Sequence, residues 1–199
     1  MADPPLSDGS AAADRRDRRE ITTDAIAIGV ATGAYGISFG ALAVTNGFSL
    51  VQAQALSVLM FTGASQFAAV AIVGAGGGAL AGIATAWLLG SRNGLYALSL
   101  DPTLRPRGWQ RPLAAQLTID ESTAMAVAHE EDPRGWPARY GFWATGLAVF
   151  VLWNLGTLVG AAGAGSGKVE STDSPGSLPG ALLWRFNASS IRSSKESEI

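Results

Sequence analysis

The sequence predicts an all-α fold, a polytopic integral membrane helical bundle of about five hydrophobic segments, one of them short or re-entrant. Three observations carry this. From Ala25 to Ser91, 67 consecutive residues contain no Asp, Glu, Lys or Arg, whereas the helices of a soluble domain need charged outer faces. The mean hydropathy of +0.23 hides a partition, because Met1–Glu20 and Gly163–Ile199 are polar or charge-rich and dilute an apolar middle. Where the neutrality ends, the charges are few and lie inside apolar runs: Arg92, then Asp120 and Glu121. Ionisable groups at membrane depth mark function by default.

Composition excludes other classes. A net charge of −2 argues against a nucleic-acid binder, which should be basic over one face. The absence of cysteine rules out disulfides, thiolate metal sites and thiol catalysis. No cofactor, metal site or enzymatic activity is expected.

Residues 1–23 hold Arg15, Arg16, Arg18 and Arg19 interleaved with Asp14, Asp17 and Glu20, without hydrophobic periodicity. They read as a disordered cytoplasmic arm or a solvated tail, since arginines this close to a first span favour a cytoplasmic N-terminus. A signal peptide fits poorly, because the apolar run that follows is too long. That run, Asp24–Asn46, supplies about 22 helical residues rising roughly 33 Å, enough for a hydrocarbon core of about 30 Å. Gly29, Gly33, Gly36 and Gly40 share one helical face as overlapping small-xxx-small units, which suits close packing by another helix or bending at a substrate site.

Leu50–Gly74 reads as a second span, with FTGASQFAAV at Phe61–Val70 in its middle. Thr62, Ser65 and Gln66 there need partners in protein or enclosed water, and Gly63 would let the backbone open. Gln66 suits either a substrate pathway or a hydrogen bond to a neighbouring helix. Next, VAIVGAGGGALAGIATAWLLG at Val70–Gly90 contains Gly74, Gly76 and Ala79 in a G-x-G-x-x-A arrangement, the wording of a dinucleotide-binding turn and hence of a Rossmann-type NAD or FAD oxidoreductase. Against it, the preceding apolar run is far longer than a strand, and the acid expected about 20 positions on is missing. Gly74–Gly78 is therefore read as a tight turn between spans.

Ala79–Leu100 is long enough for a third span and holds Ser91, Arg92 and Asn93 near its centre. An unpaired Arg at that depth costs about 2.5–3.5 kcal/mol on insertion scales, so it needs an acid or a substrate carboxylate. Asp120 and Glu121 are the available acids, within LAAQLTIDESTAMAVA at Leu113–Ala128, a segment short for a full span. Three single crossings from a cytoplasmic N-terminus would leave Arg105, Arg107 and Arg111 outside, against the positive-inside tendency. Either one segment is re-entrant, or the N-terminal arm is outside, or the tendency is overridden. Pro137–Ala162 is the last credible span. From Gly163 the chain turns polar, with nine serines to Ile199.

Together, FTGASQF in the second segment, RNGLYALSL at Arg92–Leu100 and LTIDES at Leu117–Ser122 resemble the AzlC family, the large subunit of branched-chain amino acid exporters. The resemblance runs from about Asp24 to Ala162, through GFWATGLAVFVLWNLGTLVG at Gly141–Gly160. It implies a multi-pass permease of the bacterial inner membrane that exports leucine, isoleucine and valine on a cation or proton gradient. It also implies a small AzlD-type membrane subunit as partner. AzlC relatives continue with further hydrophobic helices where this chain has residues 163–199, so a truncated or frameshifted, non-transporting membrane subunit is the alternative.

The residues suit that implication. A zwitterion with an aliphatic side chain needs an apolar cavity, a cationic or N–H partner for its carboxylate and an acceptor for its ammonium. Arg92 or an opened helix end would serve the first, and Asp120 or Glu121 the second or a coupled proton. Ser65, Gln66, Arg92, Asn93, Asp120 and Glu121 are the candidate pathway residues, although Arg92 and Asp120 would equally suit a purely structural pair.

Overall fold

The computed structural model describes residues 8–172, and every element among them is a helix: α1 (Asp8–Thr45), α2 (Leu50–Leu59), α3 (Gly63–Gly74), α4 (Ala79–Leu104), α5 (Gln110–Leu117), α6 (Asp120–Ala128) and α7 (Trp136–Thr172). One compact unit ends at Gly165, and its architecture follows from where the helices break.

The second apolar segment is two half-helices. A Ser49–Gln52 capping box starts α2, and the helix stops at Met60 because Thr62 is extended, with φ −145° and ψ 103°. Across the break the Gln66 amide donates to the Leu56 carbonyl at 2.9 Å, tying the two halves side by side. At its far end α3 packs Gly74 against the side chain of Asn46, just beyond α1. The segment therefore returns to the end of the bundle where it started, as a hairpin rather than the single span expected from its length.

From there α4 runs back along α3, with Gly82 against Val73 and Ala69 and Gly90 facing Ser65. Its last turn reaches the opposite end of the bundle. There the Thr103 hydroxyl donates to Glu130 at 3.2 Å and the Thr103 carbonyl accepts from Arg139 Nε at 3.0 Å. The acidic segment starts and finishes at this end, so it is a second hairpin. Its break lies between α5 and α6, where the Ser122 hydroxyl donates to the Leu117 carbonyl at 2.6 Å and accepts from the Ile119 N–H at 3.1 Å. One side chain thus satisfies groups that the helix ends leave orphaned. The two tips touch: Gln116 Nε2 donates to the Val58 carbonyl at 2.8 Å.

Helices α1 and α7 run parallel and in contact. Gly29, Gly33, Gly36 and Gly40 lie against Ala148, Leu152, Trp153 and Thr157, and Gly156 and Gly160 reciprocate against Gly33 and Ile37. A β-carbon on Gly36 would stand 2.6 Å from the Trp153 carbonyl oxygen, so glycine sets the backbone approach here.

Among the described residues two helical stretches, Gly9–Thr45 and Trp136–Ser166, are long and apolar enough to cross a membrane, and only 33% of each apolar window is buried. Much of the remainder is bare hydrocarbon, as are Leu80, Ile83, Trp87, Leu88, Leu95 and Leu98 on α4. An outer surface of this kind suits lipid rather than water.

The structure corrects the expected arm. Helix α1 starts at Asp8, because tertiary contacts order a stretch that lacks hydrophobic periodicity. Arg134 bonds Asp14 and Asp17 at 2.7 Å each, Arg18 lies over the Trp136 ring at 4.5 Å, and the Thr22 and Tyr140 hydroxyls are 2.8 Å apart. At the other end α7 continues to Thr172, beyond the expected boundary at 162, and residues 173–199 of the expected polar tail lie outside the described residues. The dinucleotide-binding reading fails on its first requirement. Gly74 closes α3, Gly76 takes φ +83° and Gly78 precedes α4, so the glycines join two helices, with no strand among the described residues.

Because the α2–α3 hairpin returns to the end where it starts, the arginines among the described residues, Arg92 excepted, gather at one end. Arg15, Arg16, Arg18 and Arg19 of α1, Arg105, Arg107 and Arg111 around the α4–α5 link, and Arg134 and Arg139 before and within α7 all lie there. The links 46–49 and 75–78 at the other end carry neither Lys nor Arg.

Candidate functional site

Where the hairpin tips meet, a cavity of about 170 Å³ opens between them, α4 and α7. The α2–α3 tip contributes Phe61, Thr62, Gly63 and Ala64, and the α5–α6 tip contributes Ile119, Asp120 and Glu121. Helix α4 adds Arg92 and Asn93, and α7 adds Val149 and Trp153. Arg92 lies at the middle of α4, and its Nη2 donates to Asp120 Oδ2 at 2.6 Å. Both side chains are 48% exposed, so the pair stands open rather than sealed in the core.

The two helix N-termini at the cavity differ in charge. Helix α6 begins with Asp120 and Glu121 in its first turn, which complement the positive end of its own dipole. Helix α3 has no acid in its first turn, and its N-cap residue Thr62 makes no side-chain cap bond. Its first N–H groups therefore form a positive, uncapped end beside two carboxylates. Thr62 Oγ1, Asn93 Oδ1 and Trp153 Nε1 are buried and have no hydrogen-bond partner among the described residues.

Of the residues singled out in the sequence, Arg92, Asn93, Asp120 and Glu121 line this cavity. Ser65 and Gln66 do not. Gln66 is fully buried and ties the α2–α3 hairpin, and Ser65, 2% exposed, faces Gly90 of α4. The four α1 glycines lie on α7 and do not themselves line the cavity, although Gly36 packs on the main chain of Trp153, which does. Sequence reasoning missed Ile119, Val149 and Trp153. The last two come from a helix that reads only as an apolar span, and Ile119 is one more aliphatic residue beside the acids.

A second charged cluster closes the arginine-rich end. Arg134 bonds Asp132 at 2.6 Å as well as Asp14 and Asp17. Its hydrogen bonds hold the Asp132 carboxyl down at about 2, and those three acids raise its own pKa in turn. Arg18 and Arg134 both lie over the Trp136 ring, with the Arg134 guanidinium 5.4 Å from its centre.

Apolar outer faces, broken hairpins and a charged cavity halfway along the bundle define a helical membrane protein. The family model described as AzlC protein matches residues 27–166. The chain belongs to the AzlC family, which is associated with membrane transport. It is similar to an uncharacterized membrane protein of Helicobacter pylori strain 26695, 29% identical over 90 residues, covering 45% of this chain and 40% of that protein. A second, from strain J99, is 28% identical over the same proportions. The matched region is thus about two-fifths of the length of these curated relatives. No solved structure matches the chain.

Proposed function

We propose that this chain is the large subunit of a secondary transporter that exports branched-chain amino acids, leucine, isoleucine and valine, across the bacterial inner membrane. One observation carries the reading. Two hairpins enter the bundle from opposite ends and meet at an ion pair halfway along it, between Arg92 and Asp120. Broken helices whose ends converge at mid-depth are the way membrane transporters build substrate sites. In this reading α1, α4 and α7 cross the bilayer and the hairpins are re-entrant. The arginine-rich end faces the cytoplasm, which removes the conflict over Arg105, Arg107 and Arg111.

The chemistry divides by charge. The uncapped start of α3 at Gly63 and Ala64 receives the substrate carboxylate, because oriented N–H groups and the helix dipole favour an anion there. Asp120 and Glu121 receive the ammonium. Arg92 is engaged with Asp120, so it acts as the counter-ion with which the ammonium competes rather than as the carboxylate's ligand. Asn93 adds a polar wall. Ser65 and Gln66 act through hairpin shape, and a small AzlD-type subunit completes the assembly.

Efflux of preloaded labelled leucine from cells tests this. Cells with the chain and a small-subunit partner should lose leucine several-fold faster than cells without the chain. Equal rates, with the protein present in the membrane fraction, would contradict the reading.

A further inference from the structure

The polar cavity shares one wall with a second, larger hollow. Thr62 lines both. On the far side of the α2–α3 tip, against the adjoining stretch of α4, a space of about 380 Å³ is bounded by Met60, Thr62, Ile83, Ala86, Trp87 and Gly90. The lining is mostly aliphatic, aromatic or thioether. The hydroxyl of Ser91, which also borders it, is committed to the Leu88 carbonyl at 2.7 Å.

Packing does not require glycine at position 90. A β-carbon there would stand 3.5 Å from Ser65 Oγ, an ordinary contact, whereas glycine inside a helix costs about 0.5–1 kcal/mol relative to alanine. What glycine supplies is room. Ala86, Gly90 and Gly94 follow at intervals of four along α4 and keep that wall low. Behind Gly90, on the α3 side, stands Ser65, which is 2% exposed and does not border the hollow.

We propose that this hollow is the side-chain subsite of the transport site. The zwitterionic head of an α-amino acid lies in the cavity at the hairpin tips, and its aliphatic side chain passes Thr62 into the space over Gly90. The inference rests on the transport reading above and adds to it the residues that select the side chain. Gly90 and Ala86 set the depth available to it. Ile83 and Trp87, 61% and 84% exposed, border its outward, open side, so shortening Ile83 leaves the core intact.

The test is paired efflux of labelled leucine and labelled alanine from cells carrying the full chain, Gly90→Leu, Gly90→Ala or Ile83→Ala, each quantified in the membrane fraction. Gly90→Leu should lower the leucine-to-alanine efflux ratio at least tenfold. Gly90→Ala, which folds at ordinary contact distance, should lower it about twofold to fivefold. Ile83→Ala should raise efflux of labelled phenylalanine relative to leucine. If the unaltered chain moves no amino acid, the transport reading itself falls and this inference with it. If it moves leucine but the ratios stay within twofold in Gly90→Ala and Ile83→Ala, the hollow belongs to lipid chains, and the subsite is overturned while the transport reading stands.

Discussion

Arg92 Nη2 of α4 lies 2.6 Å from Asp120 Oδ2, the first residue of α6. The contact neutralises a guanidinium placed midway along α4 and anchors one hairpin tip to it. Replacing Asp120 by Asn should lower leucine export at least about tenfold while the protein remains in the membrane, because an amide neither holds an ammonium nor carries a proton. Arg92→Gln leaves the carboxylate without its counter-ion and should lower both export and membrane level. Exchanging the two residues should restore the level alone. Normal efflux from Asp120→Asn would remove the pair from the mechanism.

The α2–α3 hairpin depends on the amide of Gln66, which reaches Leu56 from a fully buried position. Gln66→Leu deletes that donor and should destabilise the purified protein by about 1–3 kcal/mol. Thermal unfolding in detergent measures this, and an unchanged midpoint would show that the hairpin holds without the bond.

Gly36 brings the α1 backbone against α7, where a β-carbon would stand 2.6 Å from the Trp153 carbonyl oxygen. Gly36→Leu should separate the helices at a cost of about 1–3 kcal/mol or more. Gly9→Leu, where nothing lies within 4 Å, should be neutral by the same assay.

At the arginine-rich end, Asp132 is held at about 2 by Arg134. A depressed carboxyl contributes stability that is fully present above its unfolded pKa of about 3.9 and lost as pH falls through the folded value. Hydrogen-exchange protection of the Arg134 N–H, which donates to Asp132 Oδ1 at 2.9 Å, corrected for the intrinsic rate, should therefore hold from pH 8 to about 5 and decline between about 4 and 2. Arg134→Ala, which removes the partner of Asp14 and Asp17, should lower the protection of the first turns of α1 at pH 7. Unchanged protection in that variant would show that α1 is ordered without the cluster.

The helical class and the polar residues of the cavity were legible because both rest on composition along the chain: uninterrupted neutrality, then isolated charges at Arg92, Asp120 and Glu121. The direction of Leu50–Gly74 was not. Hydropathy measures how much apolar chain there is, not whether it crosses or returns, and the turn at Thr62 is fixed by a tertiary bond from Gln66 to Leu56. The order of residues 8–20 was hidden for a related reason, since it comes from Arg134 and Trp136, far along the chain. Trp153 joins the cavity through the α1–α7 packing, which no local pattern reports.

The central claim, that substrate occupies the meeting point of the two tips, is tested most directly at Ala64. The chain has no cysteine, and Ala64 lines the cavity at the start of α3. In membrane vesicles, Ala64→Cys should react with a small hydrophilic thiol reagent, and leucine should slow that reaction at least about fivefold while an equal concentration of a sugar does not. Reaction at the same rate with and without leucine, in vesicles that transport it, would place the substrate elsewhere.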